Sequence, residues 1–273
     1  MQLNYAVVSS CSGRGWVDYG ARFVDSFLRF WPQSIDLILC SEDDLRDAAK
    51  HHAYAPNFTL IDLRPAVSGF LQRFGSDPIM NGRQQLPGQR GWTPKKLANG
   101  YNFRYDAARF GLKAFSIAAA AERVGRGKLY WADADIVTFA PVTRALLTET
   151  LPDAFALSCL DRGADYHSEC GWVGYDLNHE QTKPFILAFR DLYESGSVRE
   201  LAEWHDSWVF DWLRRQRQVS TYHIPHKSRK HPFANSCLSK AMDHCKGDRK
   251  RLGKTPSAEV AACYRQHEYW RTA

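Results

Sequence analysis

At 273 residues, 44% hydrophobic and 24% charged, the chain is long enough for a large α/β domain and too apolar for wholesale disorder. No apolar run approaches the roughly 20 residues that span a bilayer, and Met1–Val8 begins a strand without a basic then apolar leader, so a cytoplasmic location is expected. The seven cysteines are scattered without a Cys-x-x-Cys pair, which fits a reduced setting and weighs against a zinc site.

In chain order, Tyr5–Ser10 predicts a strand, Ser9–Gly15 a Ser/Gly-rich turn, Tyr19–Phe30 a helix and Ile35–Cys40 a second strand. Glu42–His51 predicts a helix and Phe58–Leu63 a third strand. This βαβαβ rhythm argues for a mostly parallel sheet. The glycines after the first strand match neither G-x-G-x-x-G nor a phosphate loop, so they establish only a turn, of the kind that touches a nucleotide at a sheet edge. Residues 64–102, punctuated by Pro65, Pro78, Pro87 and Pro94, read as a long irregular segment, with Trp92, Lys95 and Lys96 as contact candidates.

Phe103–Val124 predicts an amphipathic helix with Phe103, Ala107, Phe110, Ala114, Ile117, Ala118 and Ala121 on its buried stripe. Asp106, Arg109 and Lys113 share a neighbouring face, either as a surface ion-pair ladder or as charge offered to a polar ligand. Beyond it, Thr143–Glu149 predicts a helix and Ala154–Leu160 a strand. Cys170–Tyr175 predicts a further strand whose glycines permit close backbone approach. Helices are expected at His179–Ser195, Val198–Arg217 and, closing the chain, Ser257–Tyr269. No internal repeat is present, and one domain over 1–273 is expected.

The run from Lys128 to Val137 is the most informative segment, because its apolar strand is interrupted by Asp133 and Asp135. In an extended strand residues i and i+2 face one side, so both carboxylates meet in one small volume. Their repulsion needs a cation or a shared proton to resolve it. Oxygen ligands at the C-terminal edge of a parallel sheet suit Mg²⁺ or Mn²⁺ carrying substrate phosphates. A bare Asp-x-Asp is usually a solvated pair, and the strand context is what raises this one.

Residues 212–254 hold twelve Lys/Arg against Asp243 and Asp248, within a chain of net charge +6. Such a concentration faces a polyanion: a nucleotide diphosphate, nucleic acid or an acidic surface.

Four motifs resemble the nucleotide-sugar glycosyltransferases of the GT-A fold, nearest the glycogenin/galactosyltransferase type and the toxin-type glucosyltransferases. Asp106-Ala107-Ala108-Arg109 resembles their Asp-x-x-Arg, and Leu129–Val137 resembles the metal strand LYLDADIVV. Glu169–Tyr175 takes the place of the N-S-G-V strand, with Glu169-Cys170-Gly171 for Asn-Ser-Gly. His244–Lys250 resembles H-x-x-G-x-x-K-P, with Arg251 for the proline, and His205-Asp206-Ser207 stands for an Asp-Gln pair.

The resemblance implies a GT-A-like, Rossmann-like, mostly parallel sheet flanked by helices, with a nucleotide-binding half (1–135) and an acceptor half carrying the basic C-terminal element (136–273). It implies a metal site of Asp133, Asp135 and His244 for Mn²⁺ or Mg²⁺. Ser9, Ser10, Asp106, Arg109, Lys113, Lys246, Arg249 and Lys250 are expected around the nucleotide and diphosphate. The expected reaction is transfer from a nucleoside diphosphate sugar, a UDP-sugar first, to a hydroxyl, with retention. Asp206 is expected to touch sugar or acceptor, and Asp206 or Glu169 to be the general base if the reaction inverts. The acceptor is open, and the basic segment admits hydroxymethylated DNA. A sugar nucleotidyltransferase or a non-catalytic nucleic-acid-binding protein are the competing readings.

Overall fold

The computed structural model describes residues 4–247 and 249–253, so the closing helix expected at Ser257–Tyr269 lies outside the described residues. The chain opens with β1 (Tyr5–Cys11) and becomes helical at once. The Ser12 hydroxyl accepts from Gly15 N at 3.1 Å and starts α1 (Gly13–Gly15), which runs through a π-helical turn (Trp16–Gly20) into α2 (Ala21–Phe30). The expected turn is therefore brief, because Ser12 supplies a helix cap.

After β2 (Ile35–Ser41) the expected helix over Glu42–His51 does not form; bends and turns lead to β3 (Phe58–Asp62). The acidic side chains there hold other donors: Asp43 accepts from Gly13 N at 2.6 Å, and Asp44 from Arg46 N at 3.2 Å. Such local bonds compete with a helix. In the stretch expected to be irregular, α3 (Arg64–Phe74) and α4 (Pro94–Ala98) are helical. Pro65 and Pro94 occupy first-turn positions, where the missing N–H costs nothing.

The expected long helix is divided at its start. A 3₁₀ turn (Phe103–Tyr105) precedes Asp106, whose carboxylate accepts from Arg109 N at 3.1 Å and caps α5 (Ala107–Val124). Phe103 is therefore exposed rather than part of the buried stripe, and Phe110 and Ala118 are half-buried. There follow β4 (Lys128–Ala132), β5 (Ile136–Thr138), α6 (Arg144–Thr150), β6 (Leu157–Leu160), β7 (Glu169–Asp176) and α7 (Thr182–Glu194). Then come α8 (Asp206–Gln216), β8 (Thr221–His223), β9 (Met242–His244) and α9 (Arg249–Leu252). The helix expected from Val198 to Arg217 is reduced to a 3₁₀ turn (Ser197–Glu200) and α8. Between them Trp204 is drawn inward: its N–H donates to Arg104 O at 2.7 Å and its ring meets Tyr105 edge-on at 5.2 Å.

The seven-stranded sheet has the order β3-β2-β1-β4-β7-β6-β8. β3, β2, β1 and β4 are mutually parallel, β7 runs antiparallel to both neighbours, and β6 pairs parallel with β8. Alternate residues feed two cores, Ala6 and Val8 on the side of α5 and α7, Tyr5 and Val7 on the side of α2 and α6. The mostly parallel sheet flanked by helices is the architecture expected from the sequence. Cys11, Cys40, Cys159, Cys170, Cys237 and Cys245 are free. Among the described residues no helix is long and apolar enough to cross a membrane.

Candidate active site

β4 is buried along its whole length and ends one residue before Asp133. There Asp133 N donates to Gly171 O at 2.9 Å, and Ile136 N to Asp133 O at 3.0 Å. The two aspartates thus occupy a tight turn between β4 and β5, not successive positions of one strand. A separate two-stranded sheet completes the arrangement, β5 pairing antiparallel with β9 so that Ile136 opposes His244. Cys245 N donates to Asp135 O at 3.1 Å, which fastens the C-terminal element to the turn.

As a result His244 Nε2 lies 3.1 Å from Asp135 Oδ1 and 3.4 Å from Asp133 Oδ2. The ligand atoms of these three residues all lie within 4.8 Å of one another. On the other side of the imidazole, Nδ1 meets Glu169 Oε1 at 2.8 Å, and Lys246 Nζ reaches the same oxygen at 2.9 Å. A carboxylate on one ring nitrogen fixes the orientation of the ring and turns the other nitrogen toward the aspartates. Burial penalises the charge of Glu169, but Lys246 and His244 outweigh it and hold its pKa at about 2. Burial likewise disfavours an imidazolium, yet Asp135 and Asp133 raise the His244 pKa well above the ordinary value. Both aspartates are lowered despite burial, Asp133 chiefly by Lys113 and Asp135 chiefly by His244.

Lys113, on α5, is buried beneath the turn. Its Nζ lies 2.6 Å from Asp206 Oδ2, 3.3 Å from Asp133 Oδ1 and 4.7 Å from the Trp131 ring centroid, and donates to Cys170 O. Helical spacing alone puts it on a charged face; in the fold it is the buried counter-ion of two site carboxylates. Lys250 Nζ lies 2.9 Å from Asp135 Oδ2 and 4.9 Å from the Tyr19 ring.

These residues open onto a cleft of about 950 Å³, lined by Ser10, Arg109, Lys113, Asp133, Asp135, Glu169, Asp206, Lys246 and Lys250 among the residues singled out from sequence. Ser9 is fully buried and does not line it. Asp106 does not line it either, being occupied by the helix cap and by Tyr101 Oη at 2.8 Å. His244 and Arg249 line a smaller hollow of about 220 Å³ that shares Arg162, Glu169 and Lys246 with the cleft. Sequence reasoning missed Tyr19, Glu42, Arg104, His167 and Glu203, and marked His205 only beside Asp206; all six line the cleft. Glu42, the first residue of the helix expected over Glu42–His51, instead accepts from Ser10 Oγ at 2.8 Å.

Gly171 is what admits His244. A Cβ on it would lie 2.5 Å from Nδ1 and closer still to Cε1. Gly171→Ala is expected to destabilise the protein by about 1–3 kcal/mol through overpacking. If the cluster of Asp133, Asp135 and His244 holds Mn²⁺, displacing the ring should also weaken that binding about 10–100-fold, the range seen when a ligand's support is removed. Thermal melts and calorimetric titration read the two effects. Wild-type Mn²⁺ affinity in the folded variant would count against His244 as a ligand.

No family model matches the chain, and no curated protein sequence matches it. Among solved structures, the chain is similar to the glycosyltransferase GlyE of Streptococcus pneumoniae TIGR4, with 12% identity and a TM-score of 0.48 over 81% of this chain and 45% of that one. It is similar to mouse xyloside xylosyltransferase 1, with 11% identity and a TM-score of 0.47 over 90% and 96% of the two chains. It is also similar to the bifunctional glycosyltransferase WbbM, with 10% identity and a TM-score of 0.46 over 98% and 52%. The chain thus spans about half the length of GlyE and of WbbM. With TM-scores under one half, these likenesses carry no argument about this chain, and the reading of the site rests on its own side chains.

Proposed function

We propose that the protein is a metal-dependent glycosyltransferase that moves a sugar from a nucleoside diphosphate sugar, a UDP-sugar first, to a hydroxyl acceptor with retention. One observation carries this reading: Asp133, Asp135 and His244 converge where a cleft of about 950 Å³ meets the end of β4, with Lys246 and Lys250 at its edge. The donor set fits a hard divalent ion. Asp135 Oδ1 is buried without a well-directed hydrogen bond, two further ligand atoms converge on it, and oxygen with one imidazole suits Mn²⁺ or Mg²⁺. A bound ion would supply Lewis-acid charge at the diphosphate leaving group.

The protein's own groups do the rest. Glu169 holds His244 by Nδ1 and so keeps Nε2 toward the aspartates. Anionic and paired with Lys246, Glu169 is a positioning residue rather than a general base. Lys246, Lys250 and Arg109 offer preorganised positive charge to the diphosphate. Asp206, at the first position of α8 and held by Lys113, presents a carboxylate to sugar or acceptor hydroxyls. The leaving phosphate is the acceptor for the incoming hydroxyl's proton.

A polyanionic acceptor such as hydroxymethylated DNA is less favoured than the basic segment alone suggested. Many of its cations face nearby carboxylates: Arg214 is buried against Asp211, Lys246 meets Glu169, Lys250 meets Asp135 and Lys240 meets Glu149.

The test is a thermal-shift screen of nucleotides and nucleotide sugars with and without Mn²⁺. A ligand at 100 times its Kd stabilises by about 2.7 kcal/mol, a rise of several degrees for a domain of this size. The rise is expected for nucleoside diphosphates only when Mn²⁺ is present. No shift with any nucleotide in Mn²⁺ would sink the proposal, and release of pyrophosphate instead of nucleoside diphosphate would assign the site to nucleotidyl transfer.

A further inference from the structure

A second group of histidine and glutamate side chains lies on the same cleft, apart from the residues assigned above to the metal, the diphosphate and the sugar. Glu203, in the segment between the 3₁₀ turn and α8, has its two carboxylate oxygens divided between different partners. Oε1 receives Arg104 Nη1 at 2.6 Å, while Oε2 faces two imidazoles, His205 Nε2 at 3.0 Å and His167 Nε2 at 3.6 Å. One ligand atom from each of His167, Glu203 and His205 lies within 4.8 Å of the other two. The His205 side chain is buried and that of Glu203 nearly so, while the His167 side chain is 38% exposed.

The orientation of each group is set from outside the cluster. His205 packs against Phe103 at 5.8 Å and Phe110 at 6.1 Å, and the His167 ring stands at 67° to it, 5.0 Å away. Arg104 fixes the carboxylate plane, as an outer partner does for a ligating carboxylate. Burial raises the cost of the Glu203 charge, but its two histidines and Arg104 lower its pKa, so an anion is held there.

We propose that His167, Glu203 and His205 form a second cation site, distinct from the Asp133/Asp135/His244 cluster and selective for a borderline divalent ion of the zinc class. Two imidazoles and one carboxylate oxygen are the donor set of an open zinc site, with a fourth position left for water or an oxygen of a bound molecule. All three residues line the cleft, so that open position lies on its wall, one residue from Asp206. Two nitrogens and one oxygen favour zinc, cobalt or nickel, whereas the other cluster, with two carboxylates and one imidazole, favours manganese or magnesium. The cysteine pattern pointed away from zinc because this donor set contains no cysteine. The proposal does not rest on the sugar-transfer reading, because binding is read without turnover.

The experiment is cobalt(II) titration of metal-free protein, followed by visible absorption, together with Zn²⁺ competition. Wild type is expected to show the ligand-field bands of low-coordinate cobalt, abolished by stoichiometric Zn²⁺ and unchanged by Mn²⁺ in excess. Asp135→Asn should keep these bands. His167→Ala, a change at a partly exposed side chain, should weaken cobalt binding at least about tenfold, in the range for lost support or ligation at a metal site. Glu203→Gln, which keeps the shape of the side chain, should do the same. Bands that persist in both variants, or that vanish in Asp135→Asn while surviving in His167→Ala, would overturn the proposal. So would their absence from wild type, leaving the three residues as a hydrogen-bonded cluster only.

Discussion

Asp135→Asn is expected to lower turnover of the nucleotide-sugar donor about 10²–10³-fold, as removal of one preorganised charge-stabilising group does in other sites. Asparagine keeps the volume and one oxygen, so the effect isolates the charge. That charge is buried, faces His244 Nε2 at 3.1 Å and Lys250 Nζ at 2.9 Å, and has Oδ1 without a well-directed hydrogen bond. A divalent ion would lose one of the two aspartate charges facing it, and Mn²⁺ titration should weaken in parallel. Asp191→Asn removes a carboxylate in an exposed pair with Arg190 on α7 and should leave turnover unchanged. Full turnover in Asp135→Asn would remove the aspartate pair from the reaction.

The parts of this site that were legible in sequence are those whose chemistry is local. Asp133 and Asp135 end an apolar run, and His244, Gly247 and Lys250 keep a recognisable spacing, so both halves of the cluster were visible before their contact was. The contact itself is long-range: the pairing of β5 with β9 sets Ile136 opposite His244. Its accommodation depends on Gly171, which sequence marked only as a place of close approach. His167 and Glu203 gave no signal, and His205 was visible only as a neighbour of Asp206, because a loop before β7 and the segment before α8 meet only in the folded chain.

The helices went astray where local hydrogen bonding or position in the helix outweighed composition. Glu42–His51 had the composition of a helix, but Asp43 and Asp44 take other donors. Arg64–Phe74 was hidden by a proline that sits at a helix start, where it is tolerated, while Val67 and Phe70 are buried. The basic segment is more paired in the fold than a count of charges along the chain indicates. Counting charges along the chain gave a surface for polyanions, whereas in the fold Lys246 and Lys250 face site carboxylates and Arg214 is buried against Asp211.

Lys113→Met should be the most destabilising single change at the site. The ammonium is the shared counter-ion of Asp133 and Asp206 and donates to Cys170 O, and its side chain is 9% exposed. Burial by itself disfavours the charged lysine, yet the two carboxylates raise its pKa above the ordinary value, so the cation is present in the folded protein. Methionine fills similar space and leaves both carboxylates without it. Removing one partner of a buried pair costs about 3–5 kcal/mol, because the remaining charge is left uncompensated. For a domain of this size each kcal/mol corresponds to roughly 2–4 °C in Tm, so melting should fall by on the order of 10 °C. The double variant Lys113→Met/Asp206→Asn removes the nearer of the two stranded charges and should recover part of the loss. That recovery separates an electrostatic cost from a packing cost, since methionine is present in both proteins. A single variant that melts with the wild type would show that Lys113 does not hold the two carboxylates together. A double variant with no recovery would place the cost on Asp133 or on the lost bond to Cys170 O rather than on Asp206.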